Sequence, residues 1–288
     1  MAAIFKYSEG RNLNRNMITT VNYVAAVMVS LFMILQKRLA INIGIVSFKA
    51  FFREFTVLGG AKFSSTAVGS FALILGLVTG VIYFVGIIAM QLSVRNYGAG
   101  LTGMFNRAGV IIPIVLSILL WNELPTAGQW LGIILAMTGI VLVNLSDEKD
   151  KRFKFHLPLL VLLLTGGLGA LASKVFQVYA PMLYRSVFLL FVFGSALIIS
   201  LFYTMRTAKA WNRQEIFAGI GVGICNQFAA TFLLLALNAL PGPVVYPLAA
   251  AGTIVVNNIM GLLLFKEQLK RKEWIAILLT IVAVLLLA

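Results

Sequence analysis

Long apolar runs, separated by short polar links, recur along this 288-residue chain. Nine of them are long enough to cross a hydrocarbon core of roughly 30 Å as helices. They lie near residues 17–36, 68–92, 97–121, 127–145, 157–177, 184–205, 214–238, 242–265 and 272–288. None alternates apolar and polar positions, so a β-barrel is excluded. The link over 37–67 has a different pattern. Phe48, Phe51, Phe52 and Phe55 fall at i, i+3, i+4 and i+7, with Lys49, Arg53 and Glu54 on the other side. That predicts a short helix lying in the membrane interface. The alternative, a full span over 41–60, would put two cations at mid-membrane depth.

The pattern occurs twice. Glu123 and Trp130 are separated by seven residues, and so are Glu267 and Trp274, at an offset of 144 residues. Each copy is an apolar run, a turn carrying one glutamate, then a second apolar run. Internal repetition in a membrane chain is a mark of secondary transporters. The second copy, 157–288, reads as five spans and the first, 1–145, as four. Lys6 matches Lys174 at an offset of 168, and the difference of 24 residues falls in the 37–67 insertion. On this alignment the chain begins inside the last turn of a first span that is largely missing from it.

Composition agrees with the pattern. Apolar residues make up 61% and charged residues 11%, against about 45–50% and 25% in soluble domains. The net charge of +14 would suggest nucleic acid in a soluble protein. Here the cations gather in links, where they set orientation and meet anionic headgroups, and no nucleic-acid partner is expected. One set of links carries 15 Lys and Arg and the other 6. That count places the amino-terminal segment in the cytoplasm and the carboxyl terminus outside. The single cysteine, Cys225, excludes an internal disulfide.

The run Pro241-Gly242-Pro243-Val244-Val245-Tyr246-Pro247-Leu248, followed by Leu264-Phe265-Lys266-Glu267-Gln268-Leu269 and Trp274, resembles the drug/metabolite transporter superfamily, in its EamA-type branch. The first copy carries Asn106 to Glu123 and Trp130-Leu131-Gly132 in matching places. The resemblance implies an all-α fold of ten helices in two inverted five-helix repeats, around a cavity that opens alternately to each side. It also implies both termini inside, against the cation count.

Candidate chemistry is sparse. No Walker motif and no hydrolytic or redox set is visible, and the lone His156 sits in a charged link, so neither an enzyme nor a cofactor or metal is expected. All nine acidic residues fall in links or at helix ends. Two cations lie within apolar runs, Arg107 and Lys174. At membrane depth each needs a partner, a wet cavity or an interface within reach of its side chain. The predicted substrate-binding set is Arg107, Asn106, Lys174, Asn226, Gln227, Tyr246, Asn257 and Tyr83. Helix–helix hydrogen bonding is the competing role for the amides and tyrosines. Glu123 and Glu267 suit the positive end of a helix better than a substrate. Gly76 with Gly80, and Gly219 with Gly223, suit close helix contact.

The expected protein is a multi-pass cell-membrane transporter, exporting a small polar or amphipathic metabolite such as an amino acid. Its partners would be that solute, the bilayer and a coupling proton or ion, with a monomer favoured. Two alternatives stay open: a phosphorylated-sugar or lipid-linked translocator of the same fold, and a non-transporting scaffold or sensor.

Overall fold

The computed structural model describes residues 13–39, 41–57, 61–144, 157–207, 212–265 and 271–287. Among these residues all regular structure is helical. The elements are α1 (Arg15–Gln36), α2 (Ile45–Val57), α3 (Val68–Ala108), α4 (Ile111–Trp121) and α5 (Ala127–Asn144), then α6 (Leu157–Tyr179), a 3-10 turn (Met182–Tyr184), α7 (Arg185–Thr207), α8 (Arg213–Ala239), α9 (Gly242–Phe265) and α10 (Arg271–Leu287). Among the described residues, five segments are both long and apolar enough to cross a membrane: Arg15–Gln36, Val68–Tyr97, Leu157–Tyr179, Met182–Arg206 and Arg213–Ala239. Phe105–Trp121, Ala127–Leu142 and Trp274–Leu287 are shorter apolar helices. The aligned Lys6, the link histidine His156 and the second motif's Glu267 lie outside the described residues.

Sequence pattern placed a link near Arg95, between spans 68–92 and 97–121. The helix instead continues to Ala108 and breaks at Gly109 and Val110. It is not a straight rod, however. A methyl group on Gly86 would meet the Thr165 hydroxyl at 3.0 Å, and one on Gly109 would meet the Leu163 carbonyl at 2.6 Å. Leu163 and Thr165 are two residues apart on α6, so Gly86 and Gly109 are at most about 18 Å apart. Twenty-three residues of straight helix would separate them by about 35 Å. The α3 helix therefore bends sharply between these points, in a stretch that contains Gly98 and Gly100. Two arms of α3 thus approach the same short stretch of α6, as two successive spans would.

Local sequence explains several helix ends. Asn14 caps α1, its side chain accepting from the Asn16 N–H at 3.0 Å. Thr126 and Gln129 form a reciprocal capping box at the start of α5. Asn122 ends α4 with a φ of 56°, a left-handed conformation that asparagine tolerates.

The chain divides into two compact units, residues 1–84 with 172–238 and residues 85–171 with 239–288. Each draws on both sequence halves, so the compact units are not the repeats. In the first unit, α1 packs along α7. Thr20 bonds Ser200 and Thr204 near one end, and Ser186 reaches Met33 near the other, so the two helices run antiparallel. The α8 helix lies parallel to α1. Gly219 faces Ile18 and Val21, and Gly223 faces Asn22 and Ala25, with no room for a side chain. Gly76 and Gly80 likewise admit α7 at Phe191 and Ser195. Both expected small-residue faces are contact surfaces.

The insertion helix α2 is anchored by aromatic rings. Phe51 lies 5.3 Å from Phe63, Phe63 4.6 Å from Phe71, Phe71 6.3 Å from Phe176, and Phe176 4.5 Å from Phe188. Such pairs contribute about 0.5–1.5 kcal/mol each beyond their buried area. Phe52 and Phe55 remain exposed, beside exposed Lys49 and Arg53. At 13 residues, α2 is about 20 Å long, too short to span.

In the second unit, α5 packs along α10, and α9 touches both. Ile133, Val244 and Leu287 form one cluster, and Ala136, Ala251 and Ala283 another. Gly132 faces the Ala283 carbonyl and Gly139 faces the Ala276 carbonyl. At the 144-residue offset, Gly132 corresponds to Ala276 and Gly139 to Ala283. The counterpart of each residue therefore meets the counterpart of its partner, as a two-fold contact between corresponding helices requires. Because the helices run antiparallel, that local axis is perpendicular to them.

This contact is testable by cross-linking. In a Cys225→Ser background, the pairs Gly132→Cys with Ala283→Cys and Gly139→Cys with Ala276→Cys should both oxidise efficiently. Mobility on non-reducing gels reads the bond. Closure of one pair without the other would reject the symmetry.

Candidate functional site

The predicted binding residues divide between the two units. Tyr83, Lys174, Asn226 and Gln227 belong to the first, and Asn106, Arg107, Tyr246 and Asn257 to the second.

In the first unit, Tyr23 on α1 and Tyr83 on α3 flank Phe193 on α7, at ring-centroid distances of 6.3 and 6.4 Å. The Tyr83 hydroxyl hydrogen-bonds Ser173. Lys174, the next residue on α6, is only 1% exposed. Its ammonium therefore does not snorkel to an interface, one of its two expected roles. It donates to Gln177 Oε1 at 2.9 Å, one helical turn on. A buried ammonium survives in an apolar bundle only where oxygen atoms replace its water.

On α8, Asn226 donates to Asn22 Oδ1 at 3.3 Å, which ties the helix to α1. Gln227 is fully buried, and neither its carbonyl nor its amide nitrogen has a partner among the described residues. Thr231, one turn further, is 5% exposed with its hydroxyl also unpartnered. Thr79, Thr138, Thr165 and Thr253 all donate to the carbonyl four residues back. Thr231 makes no such bond. Leaving a buried polar group unsatisfied costs about 1–3 kcal/mol.

In the second unit, Arg107 is half-buried near the end of α3, and its enclosed Nη1 has no partner among the described residues. Its neighbour Asn106 is exposed, and its amide oxygen and carbonyl lie over Gly166 on α6. Tyr246 on α9 is 2% exposed and donates to the Ala170 carbonyl at 2.9 Å. Asn106 and Tyr246 thus meet successive turns of α6. The Asn257 side chain lies outside the described residues.

Glu123 has a defined contact as well. Its Oε2 accepts from the Gly242 N–H at 2.7 Å, at the start of α9. A carboxylate there answers an unpaired donor and the positive end of the helix. The helix-start role was expected, but the helix served is 119 residues away and not the adjacent α5. Gly242 is needed because a methyl group would strike Ser117 and approach Glu123.

Sequence reasoning missed Ser173, Gln177 and Thr231, and the buried hydroxyls Thr20, Ser200 and Thr204 that join α1 to α7. Hydroxyl residues carry little signal in apolar runs, because most close onto their own helix. The four-residue spacing of Gln227 and Thr231 was the one available clue.

A family model described as "Sugar transport protein" matches residues 128–288, more than half of the chain. The chain belongs to the sugar transport protein family. This makes it a member of a membrane transporter family, consistent with its apolar helices. An uncharacterised protein of Haemophilus influenzae (strain ATCC 51907 / DSM 11121 / KW20 / Rd) is 22% identical over 200 residues, covering 68% of this chain and 69% of that protein. A protein of known crystal structure superimposes with a TM-score of 0.68 at 12% identity, over 95% of this chain and 87% of its own. That likeness shows the fold alone.

Removing the carboxylate that caps α9 should be measurable. Glu123→Ala is expected to cost about 1.5–3 kcal/mol of stability, as for a hydrogen bond to a charged group. Glu123→Gln, which keeps an acceptor, should cost less. Denaturation of the purified full chain in detergent would compare them, and equal losses would contradict a charge-assisted cap.

Proposed function

We propose that this sugar transport family member is a secondary transporter, built as two inverted repeats in the manner of the drug/metabolite transporter superfamily. It moves a small polar solute by alternating access. The observation that carries this reading is the self-complementary α5–α10 contact. In helices that cross the bilayer, a two-fold axis perpendicular to them lies in the membrane plane. That is the relation expected between inverted repeats. On this reading the helices sit in a cell membrane.

The family description favours a sugar over the amino acid that the sequence alone suggested. The candidate solute-binding residues are Tyr83, Lys174, Asn226 and Gln227 in the first unit, and Asn106, Arg107, Tyr246 and Asn257 in the second, each set taken by itself. Arg107 favours a second reading, a phosphorylated sugar, because its enclosed guanidinium nitrogen lacks an acceptor. Phosphate oxygens suit a guanidinium through paired, charge-assisted bonds.

Flux through proteoliposomes tests both readings. Labelled glucose, glucose 6-phosphate and leucine would be offered to the full chain in uptake and counterflow. Arg107→Ala should reduce flux of a phosphorylated solute by at least ten-fold while the protein stays folded. Unchanged flux would remove Arg107 from the site, and no flux of any solute would reject transport.

A further inference from the structure

The α1–α7 pair is joined differently at its two ends. Near the start of α1, Thr20 bonds Ser200 and Thr204 at 2.7 and 2.8 Å, all three hydroxyls buried. At the other end Ser186 Oγ reaches Met33 Sδ, a weak acceptor, at 3.8 Å. Two cations stand next to that contact. Lys37 follows Met33 by four residues, so the two share a face of α1. Arg185 precedes Ser186 and is the first residue of α7. The Lys37 ammonium is held below the ordinary lysine range, first by partial loss of water and then by the charge of Arg185. Arg185 donates through Nη1 to the Met182 carbonyl at 3.2 Å, and its enclosed Nε has no partner among the described residues.

The described carboxylates of the first unit are engaged elsewhere. Glu54 accepts from the Ser64 N–H at 2.9 Å and from its hydroxyl at 2.6 Å. Glu215 accepts from the Asn14 N–H at 2.8 Å, at the opposite end of α1. Arg185 also sits at the positive end of its own helix, where an anion is favoured. The depth of the pair is defined as well. The apolar spans end at Gln36 and begin at Met182, so both cations stand at headgroup level. Leu35 and Leu183, each two residues before one of them, are exposed, so apolar surface runs up to both. We propose that Lys37 and Arg185 bind the phosphate of an anionic phospholipid headgroup, which bridges α1 and α7 at the end the hydroxyls do not join. A guanidinium fork and an ammonium both suit phosphate oxygens. A zwitterionic headgroup would bring a third cation to a place that already holds two. The site is separate from the candidate solute-binding residues and does not depend on which solute is moved.

The test is binding and melting of the full chain in a neutral detergent, with phosphatidylglycerol, phosphatidylcholine and inorganic phosphate as probes. Phosphatidylglycerol should bind roughly ten-fold or more tightly than phosphatidylcholine and raise the melting temperature. Lys37→Gln and Arg185→Gln should each cut that preference about five-fold, and together abolish it. Lys37→Arg should keep it. Without lipid, Arg185→Gln should melt no lower than wild type, because a repulsion is relieved. A lower melting point there would make the arginine structural and overturn the site. Lys49→Gln combined with Arg53→Gln, on α2, should leave the preference intact, and its loss would move the lipid to α2. A wild type indifferent to the two lipids, or variants that keep the full preference, would overturn the proposal. Equal stabilisation by inorganic phosphate at the same concentration would replace the lipid with a free anion.

Discussion

Helices surrounded by lipid gain little from burying apolar side chains against one another, since the lipid is equally apolar. Association must come from close backbone approach and from satisfied polar atoms. The contacts here follow that constraint. Gly219 and Gly223 admit α1, Gly76 and Gly80 admit α7, and Gly132 and Gly139 admit α10. Buried hydroxyls join α1 to α7, and Glu123 caps the amide end of α9 at Gly242. Leu119, Leu35 and Phe217 meanwhile stay exposed, as lipid-facing residues should.

The same constraint gives the unsatisfied groups their meaning. Thr79, Thr138, Thr165 and Thr253 return their hydroxyls to their own backbone, and Tyr246 finds the Ala170 carbonyl. Against that background, the open polar atoms of Gln227, Thr231, Ser30 and Arg107 are exceptions in places where exceptions are costly. Transport offers a reason to keep them, because a solute can supply in passing what the helices leave unmade. Lys174 is a different case. Its charge is fully enclosed and held by Gln177, so it is a fixed element of the first unit's polar centre.

Sequence repetition and compact units divide the chain differently. The repeats run in sequence order, yet α1 pairs with α7 and α5 with α10, so each unit contains helices from both copies. The proposed two-fold relation would give this outcome, since a contact on a two-fold axis needs one member from each copy.

Apolar run length and charge placement determined a helical membrane protein, because the bilayer permits few alternatives. The phenylalanine spacing determined a short amphipathic helix, and the glycine spacing determined two close helix contacts. Those features are local, and local periodicity records them. Tertiary structure decided what Glu123 caps, that Lys174 is buried, where α3 bends, and which polar residues keep a partner. Each depends on a neighbour up to 204 residues away, and one sequence alone does not reveal which helix will lie alongside which. Gln227 looked like Asn226 in the sequence. Only the packing of α8 on α1 gave one of them a partner and left the other without.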